Sequence, residues 1–232
     1  MAGGWWIGSA WPGSNGSRAA HAYTRDVEST SAARLAIMLS GGGRTMVNLA
    51  QALERDGLNA RVELVIASSE CAGCERARER GYRTCVEPGV IDAQRLEEML
   101  REAEIEYVLL AGYLRLVRLP RGYEGRFVNI HPALLPSFGG AGMYGRRVHE
   151  AVLAHGCKVS GCTVHVVDDE YDRGPILVQR TCEVRDDDTP ETLAKRVFEQ
   201  ECIAYPEAVR ALIEGRVRVE GRRAVVMARE GA

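Results

Sequence analysis

The sequence predicts an α/β fold: a doubly wound, mostly parallel sheet with helices on both faces, Rossmann-like, with a mixed or antiparallel C-terminal part. Three observations carry that prediction. Short apolar runs alternate with segments of helical period. The runs are apolar throughout rather than at every second position, as strands covered on both faces must be. Glycine-rich turns join the runs to the helices.

The first strand is Leu35-Ala36-Ile37-Met38-Leu39, followed by the turn Gly41-Gly42-Gly43 and a helix to about Arg55. Residues 62–67 form the second strand, and the helical stretch 75–80 after it stops at Gly81. A third helix, about 92–103, feeds the run Tyr107-Val108-Leu109-Leu110-Ala111-Gly112. The extended segment Asn129-Ile130-His131 comes next, then a helix over about 144–155. Two β-rich stretches, 159–167 and 176–184, enclose the acidic loop 168–175. A long helix over 190–214 is closed by Gly215, and 217–226 reads as a hairpin around Glu220-Gly221. Residues 1–33, with Gly, Ser and Ala between Trp5, Trp6 and Trp11, have the composition of a disordered or loosely packed extension. Residues 34–226 are expected to form one domain and 227–232 a tail.

Charge narrows the class of partner. Lys and Arg number 30 against 32 Asp and Glu, a net charge of -2, so no nucleic-acid or anionic-membrane partner is expected and small-molecule substrates are. Seven cysteines, an odd count with no secretory leader before them, suggest reduced thiols and a cytoplasmic location. No apolar stretch approaches the roughly 20 residues that cross a bilayer. Monomer and homodimer both remain open.

Ligands of such sheets bind beyond the carboxyl ends of the strands, which points to 40–45, 112–117 and 129–136. Ser40-Gly41-Gly42-Gly43-Arg44-Thr45 is either a plain tight turn or a phosphate loop, in which backbone N–H groups and the helix N-terminus meet an anion. If the acidic loop folds over the strand end, Asp172 stands beside His131, favours its imidazolium and raises its pKa; otherwise His131 is a core histidine and Asp172 a solvated acid. Asn129 could steady a developing oxyanion. Cys71-Ala72-Gly73-Cys74 could be redox-active or half of a zinc site, but no second Cys or His pair lies close by. His149 and His155 read as ordinary polar positions.

The ordered motifs resemble the folate-dependent formyltransferases from about Arg34 to Arg223. Asn129-Ile130-His131-Pro132-Ala133-Leu134-Leu135-Pro136 matches the family pattern Asn-x-His-Pro-Ser-Leu-Leu-Pro, with Ala133 replacing serine. Gly161-Cys162-Thr163-Val164-His165, then Asp172 and Gly174-Pro175, matches the second pattern. The resemblance implies a catalytic trio of Asn129, His131 and Asp172, with His131 a proton donor whose pKa Asp172 raises. It implies substrate binding by Gly43, Arg44, Thr45 and Glu201, and folate binding by Leu114, Arg115, Leu116, Val117 and Asn129. The co-substrate would be 10-formyltetrahydrofolate, with no metal, and the acceptor the amine of 5'-phosphoribosylglycinamide. The alternatives are a different phosphorylated amine, or a non-catalytic folate- or phosphate-binding protein on the same scaffold. Gly-x-Gly-Ser-Asn of the family reads Gly41-Gly42-Gly43-Arg44-Thr45 here, and Cys202 replaces a histidine after the acid.

Overall fold

The computed structural model of the chain describes residues 21–22 and 31–228. In chain order its elements are β1 (His21–Ala22), β2 (Ala33–Leu39), α1 (Arg44–Arg55), β3 (Ala60–Ala67), α2 (Ala72–Glu79), β4 (Arg83–Val86), α3 (Ala93–Glu102) and β5 (Tyr107–Leu110). They continue with β6 (Phe127–His131), α4 (Arg146–Ala154), β7 (Val159–Val166), β8 (Ile176–Glu183), α5 (Pro190–Ile213), β9 (Val217–Glu220) and β10 (Arg223–Val226). All strands join one sheet in the order β1-β9-β10-β8-β7-β6-β5-β2-β3-β4. From β4 to β6 the neighbours run parallel, whereas β7 is antiparallel to both β6 and β8. The expected parallel half and antiparallel C-terminal part are both present.

Alternation along the central strands sorts the core. Leu35, Ile37 and Leu39 point to the face packed by α1, α4 and α5, whereas Ala36 and Met38 point to the face packed by α3. Asp92 caps α3 by accepting from Gln94 N, and a Thr189–Thr192 capping box starts α5. Tyr205 of α5 is fully buried, and its hydroxyl donates towards the carbonyls of Leu110 and Val128 at 3.0 and 2.9 Å. An unpaired hydroxyl there would cost about 1–3 kcal/mol; paired, it ties α5 to β5 and β6 just before their functional ends.

The strand β4 has no counterpart in the sequence reading, because Arg83-Thr84-Cys85-Val86 lacks an apolar run. It lies at the sheet edge, where one side needs no cover. Helix α2 begins earlier than its charged stretch suggests, taking in Gly73. Of the stretch expected as an extension, His21–Ala22 pairs antiparallel with β9; its three tryptophans, like residues 229–232, lie outside the described residues.

Candidate active site

Asn129 and His131 are two apart on β6 and so project to the same face. Opposite them on β7 stand His165 and Thr163. Thr163 anchors the segment after His131: its hydroxyl donates to the Ala133 carbonyl at 2.7 Å and accepts from Leu135 N at 3.0 Å. Gln179 of β8 donates to Leu135 O and Thr163 Oγ1, both at 3.0 Å. The peptide bond Leu135–Pro136 is cis.

Asp172 arrives from the loop between β7 and β8 with a left-handed backbone, φ 57°. Gly174 makes that turn possible, since a Cβ there would overlap the carbonyl oxygen of Val166. The Asp172 carboxylate then faces four nitrogens: Gly140 N donates to Oδ2 at 2.9 Å, Asn129 Nδ2 donates to Oδ1 at 3.3 Å, and His131 Nδ1 and His165 Nε2 lie at 3.4 and 3.5 Å. Burial works against its charge, but the His165 contact, the charge of His131 and the Gly140 N–H together hold Asp172 below the usual carboxylate range.

His131 departs from expectation. Asp172 does favour its charged form, and so does the Phe138 carbonyl 2.8 Å from Nε2, but the ring is only 4% exposed and burial outweighs both. Its pKa is lowered, not raised, so burial favours the neutral imidazole. Counting the neighbouring carboxylate without the desolvation gives the wrong sign.

The cluster opens into a cavity of about 600 Å³ at the carboxyl ends of β2, β5 and β6. One end is the start of α1. Gly43 adopts φ 72° against Gly73, no side chain caps the helix, and its first turn has no acid. The first-turn N–H groups and the positive helix end therefore face an open, anion-binding position. The Arg44 guanidinium lies 4.6 Å from the Phe198 ring centre, and its charge acts on Glu201. Burial nonetheless pushes the Glu201 carboxyl up to about 7, with Arg44 only partly opposing. The other end is lined by Tyr113, Leu114, Arg115, Leu116 and Val117, where Leu114 N donates to Ser40 Oγ at 3.0 Å. All the candidate residues, Gly43, Arg44, Thr45, Leu114, Arg115, Leu116, Val117, Asn129, His131, Asp172 and Glu201, line this cavity.

Residues 33–209 match the family described as Formyl transferase. The chain belongs to that family. It is 42% identical over 193 residues to a chloroplastic phosphoribosylglycinamide formyltransferase of Vigna unguiculata, covering 79% of this chain and 62% of that protein. The Arabidopsis thaliana protein of the same name is 41% identical over 195 residues, 80% of this chain and 67% of its own. Glycinamide ribonucleotide transformylase 1 from Symbiobacterium toebii superposes with a TM-score of 0.79 at 34% identity, covering 86% of this chain and 96% of the other. The chain thus spans less than two thirds of the Vigna relative.

Sequence reasoning missed three side chains of this site. His165 donates its Nδ1–H to the Val166 carbonyl at 2.9 Å and places Nε2 3.1 Å from Asn129 Nδ2; its position opposite Asn129 becomes visible only with the antiparallel register. Thr163 was legible only as a motif letter. His149, read as an ordinary polar position, is instead 4% exposed and lines the cavity. Cys71 and Cys74 sit at the start of α2 with sulfurs 3.7 Å apart, and among the described residues no cluster of three His, Cys, Asp or Glu is arranged to hold a metal.

Proposed function

We propose that the chain transfers the formyl group of 10-formyltetrahydrofolate to the amine of 5'-phosphoribosylglycinamide, yielding formylglycinamide ribonucleotide in purine biosynthesis; the bond to N10 breaks, the amine gives up a proton, and N10 takes one up as tetrahydrofolate leaves. The observation that carries this reading is the placement of Asn129, His131 and Asp172 between an open helix N-terminus and a largely apolar pocket. The acceptor's phosphate fits the first: backbone N–H groups of Gly43, Arg44 and Thr45 and the Arg44 charge favour a dianion. The flat ring of the folate fits the second, between Tyr113, Val117 and the backbone of 111–116. Glu201, near the phosphate end, fits as an acceptor for ribose or amide donors.

As the amine attacks the formyl carbon, negative charge develops on the formyl oxygen. Asn129 Nδ2 has two hydrogens, one directed to Asp172 Oδ1 and one to His165 Nε2, and it meets that oxygen by exchanging one of these contacts for it. The oxyanion also favours the imidazolium of His131, offsetting the burial that favours the neutral ring. His131 reaches the oxygen when Nε2 exchanges the Phe138 carbonyl for it. Asp172, ionised and fixed by Gly140, orients both side chains. Residues 34–226 carry all of these groups and are proposed as the catalytic unit.

The test is direct: purified protein with both substrates should accumulate formylated product, and 5'-phosphoribosylglycinamide should outcompete other phosphorylated amines. Folate binding without turnover would support the non-catalytic alternative. No described helix is long and apolar enough to cross a membrane. The proposed location is the cytoplasm, and a plastid, named for the plant relatives, is the alternative that fluorescent tagging distinguishes.

A further inference from the structure

The segment Cys71-Ala72-Gly73-Cys74 has no role in the proposed chemistry, yet the fold sets it against the phosphate end of the cavity. Cys71 is the N-cap of α2, Cys74 lies in the first turn, and their sulfurs are 3.7 Å apart. Both are free thiols. Cys71 is half-buried, whereas Cys74 is fully buried with its sulfur 3.6 Å from the Ser69 carbonyl oxygen. An oxidant therefore meets Cys71 first, with Cys74 already beside it.

The residue between the two thiols touches the loop that begins α1. Gly73 N donates to the Gly41 carbonyl at 3.0 Å. A Cβ on Gly73 would stand 2.6 Å from that oxygen, and one on Gly43 would stand 2.8 Å from Gly73 Cα. Arg76 of the same helix donates to the Gly42 carbonyl. All three glycines of the loop are thus seated on the start of α2, and no side chain lies between Gly73 and its neighbours to absorb a shift. A sulfur–sulfur bond is about 2.05 Å long, so joining Cys71 to Cys74 draws them together. Cys74 is closely packed, and the adjustment falls on the turn that carries Gly73.

We propose that Cys71 and Cys74 form a reversible disulfide that weakens binding of the phosphorylated acceptor through Gly73. The oxidant is a low-molecular-weight disulfide. The Cys71 thiolate attacks one of its sulfurs, forming a mixed disulfide and releasing the first small thiol. The Cys74 thiolate then attacks the Cys71 sulfur, the mixed bond breaks, and the second small thiol leaves. Two protein thiols are oxidised, one small disulfide is reduced to two thiols that take up the two protons, and a dithiol reverses the reaction. In a reducing compartment the dithiol is the resting form. The effect on the acceptor rests on the proposed function; formation of the disulfide does not.

The test uses the full chain treated with oxidised glutathione and then freed of it. The wild type should become about 2 Da lighter, the two hydrogens lost, with peptide mapping joining Cys71 to Cys74. Cys74→Ser should stop at one glutathione adduct on Cys71, and Cys71→Ser should leave Cys74 unmodified. Oxidation should raise the wild-type KM for the acceptor about fivefold or more, leave kcat and the folate KM within about twofold, and be undone by dithiothreitol. The same treatment should not alter the kinetics of Cys71→Ser. Calorimetric titration with inorganic phosphate makes the comparison without turnover, and the oxidised form should bind at least about threefold more weakly. Failure to join Cys71 to Cys74, or a disulfide that leaves both acceptor KM and phosphate affinity unchanged, overturns the inference. Absence of product from the reduced wild type overturns the proposed function alone, and the mass and phosphate measurements still decide the disulfide.

Discussion

Glu201 shows how one half-buried carboxyl couples the site to stability. In the folded chain it holds its proton up to about pH 7, against an ordinary 4.5. Its contribution is therefore intact below about pH 4.5 and is lost as pH rises through 7. Glu201→Gln should match the wild type in stability at pH 4 and exceed it at pH 8.5 by at most about 3 kcal/mol, read by urea unfolding at both values. A bound substrate that donates to the carboxylate would shrink that difference. Asn129→Ala removes the proposed donor to the oxyanion, so kcat should fall by about 100- to 1000-fold with KM little changed in steady-state kinetics. The motif made Asn129, His131 and Asp172 legible in the sequence, but not the protonation of His131. That depends on how much water the folded ring loses, a quantity no spacing encodes.

Turns and strand ends set the positions of these groups. Gly174→Ala would drive a methyl group into the Val166 carbonyl, a backbone atom that cannot swing aside. A loss of about 2–4 kcal/mol is expected in urea unfolding, together with reduced kcat because Asp172 is carried by the same turn. At the start of α1, Arg44→Ala should raise KM for the phosphorylated acceptor about tenfold or more while leaving KM for the folate near its original value. Strands β2, β3 and β5 were readable because each holds an unbroken apolar run: Leu35–Leu39, Leu64–Ala67 and Tyr107–Leu110. β4 was not, because an edge strand needs little apolar surface. The start of α2 was hidden by Gly73, whose missing side chain serves its close approach to Gly41 and Gly43 rather than the helix.

On the scale of the whole molecule, the switch from parallel to antiparallel pairing at β6 brings the pieces together. It lays β7 against β6, so that His165 meets Asn129 and the following loop returns Asp172 to the cluster. The sequence shows the two motifs 129–136 and 161–175 as separate stretches; only the register makes them one site. Helix α5, tied to β5 and β6 through Tyr205, closes the same cavity with Phe198 and Glu201. The measurement that tests this account most directly is the steady-state formation of formylated product from 10-formyltetrahydrofolate and 5'-phosphoribosylglycinamide by the purified full chain, compared with His131→Ala. The account predicts turnover by the wild type and a rate at least about 100-fold lower in the variant. No product from the wild type, or near-equal rates in the two proteins, would contradict it.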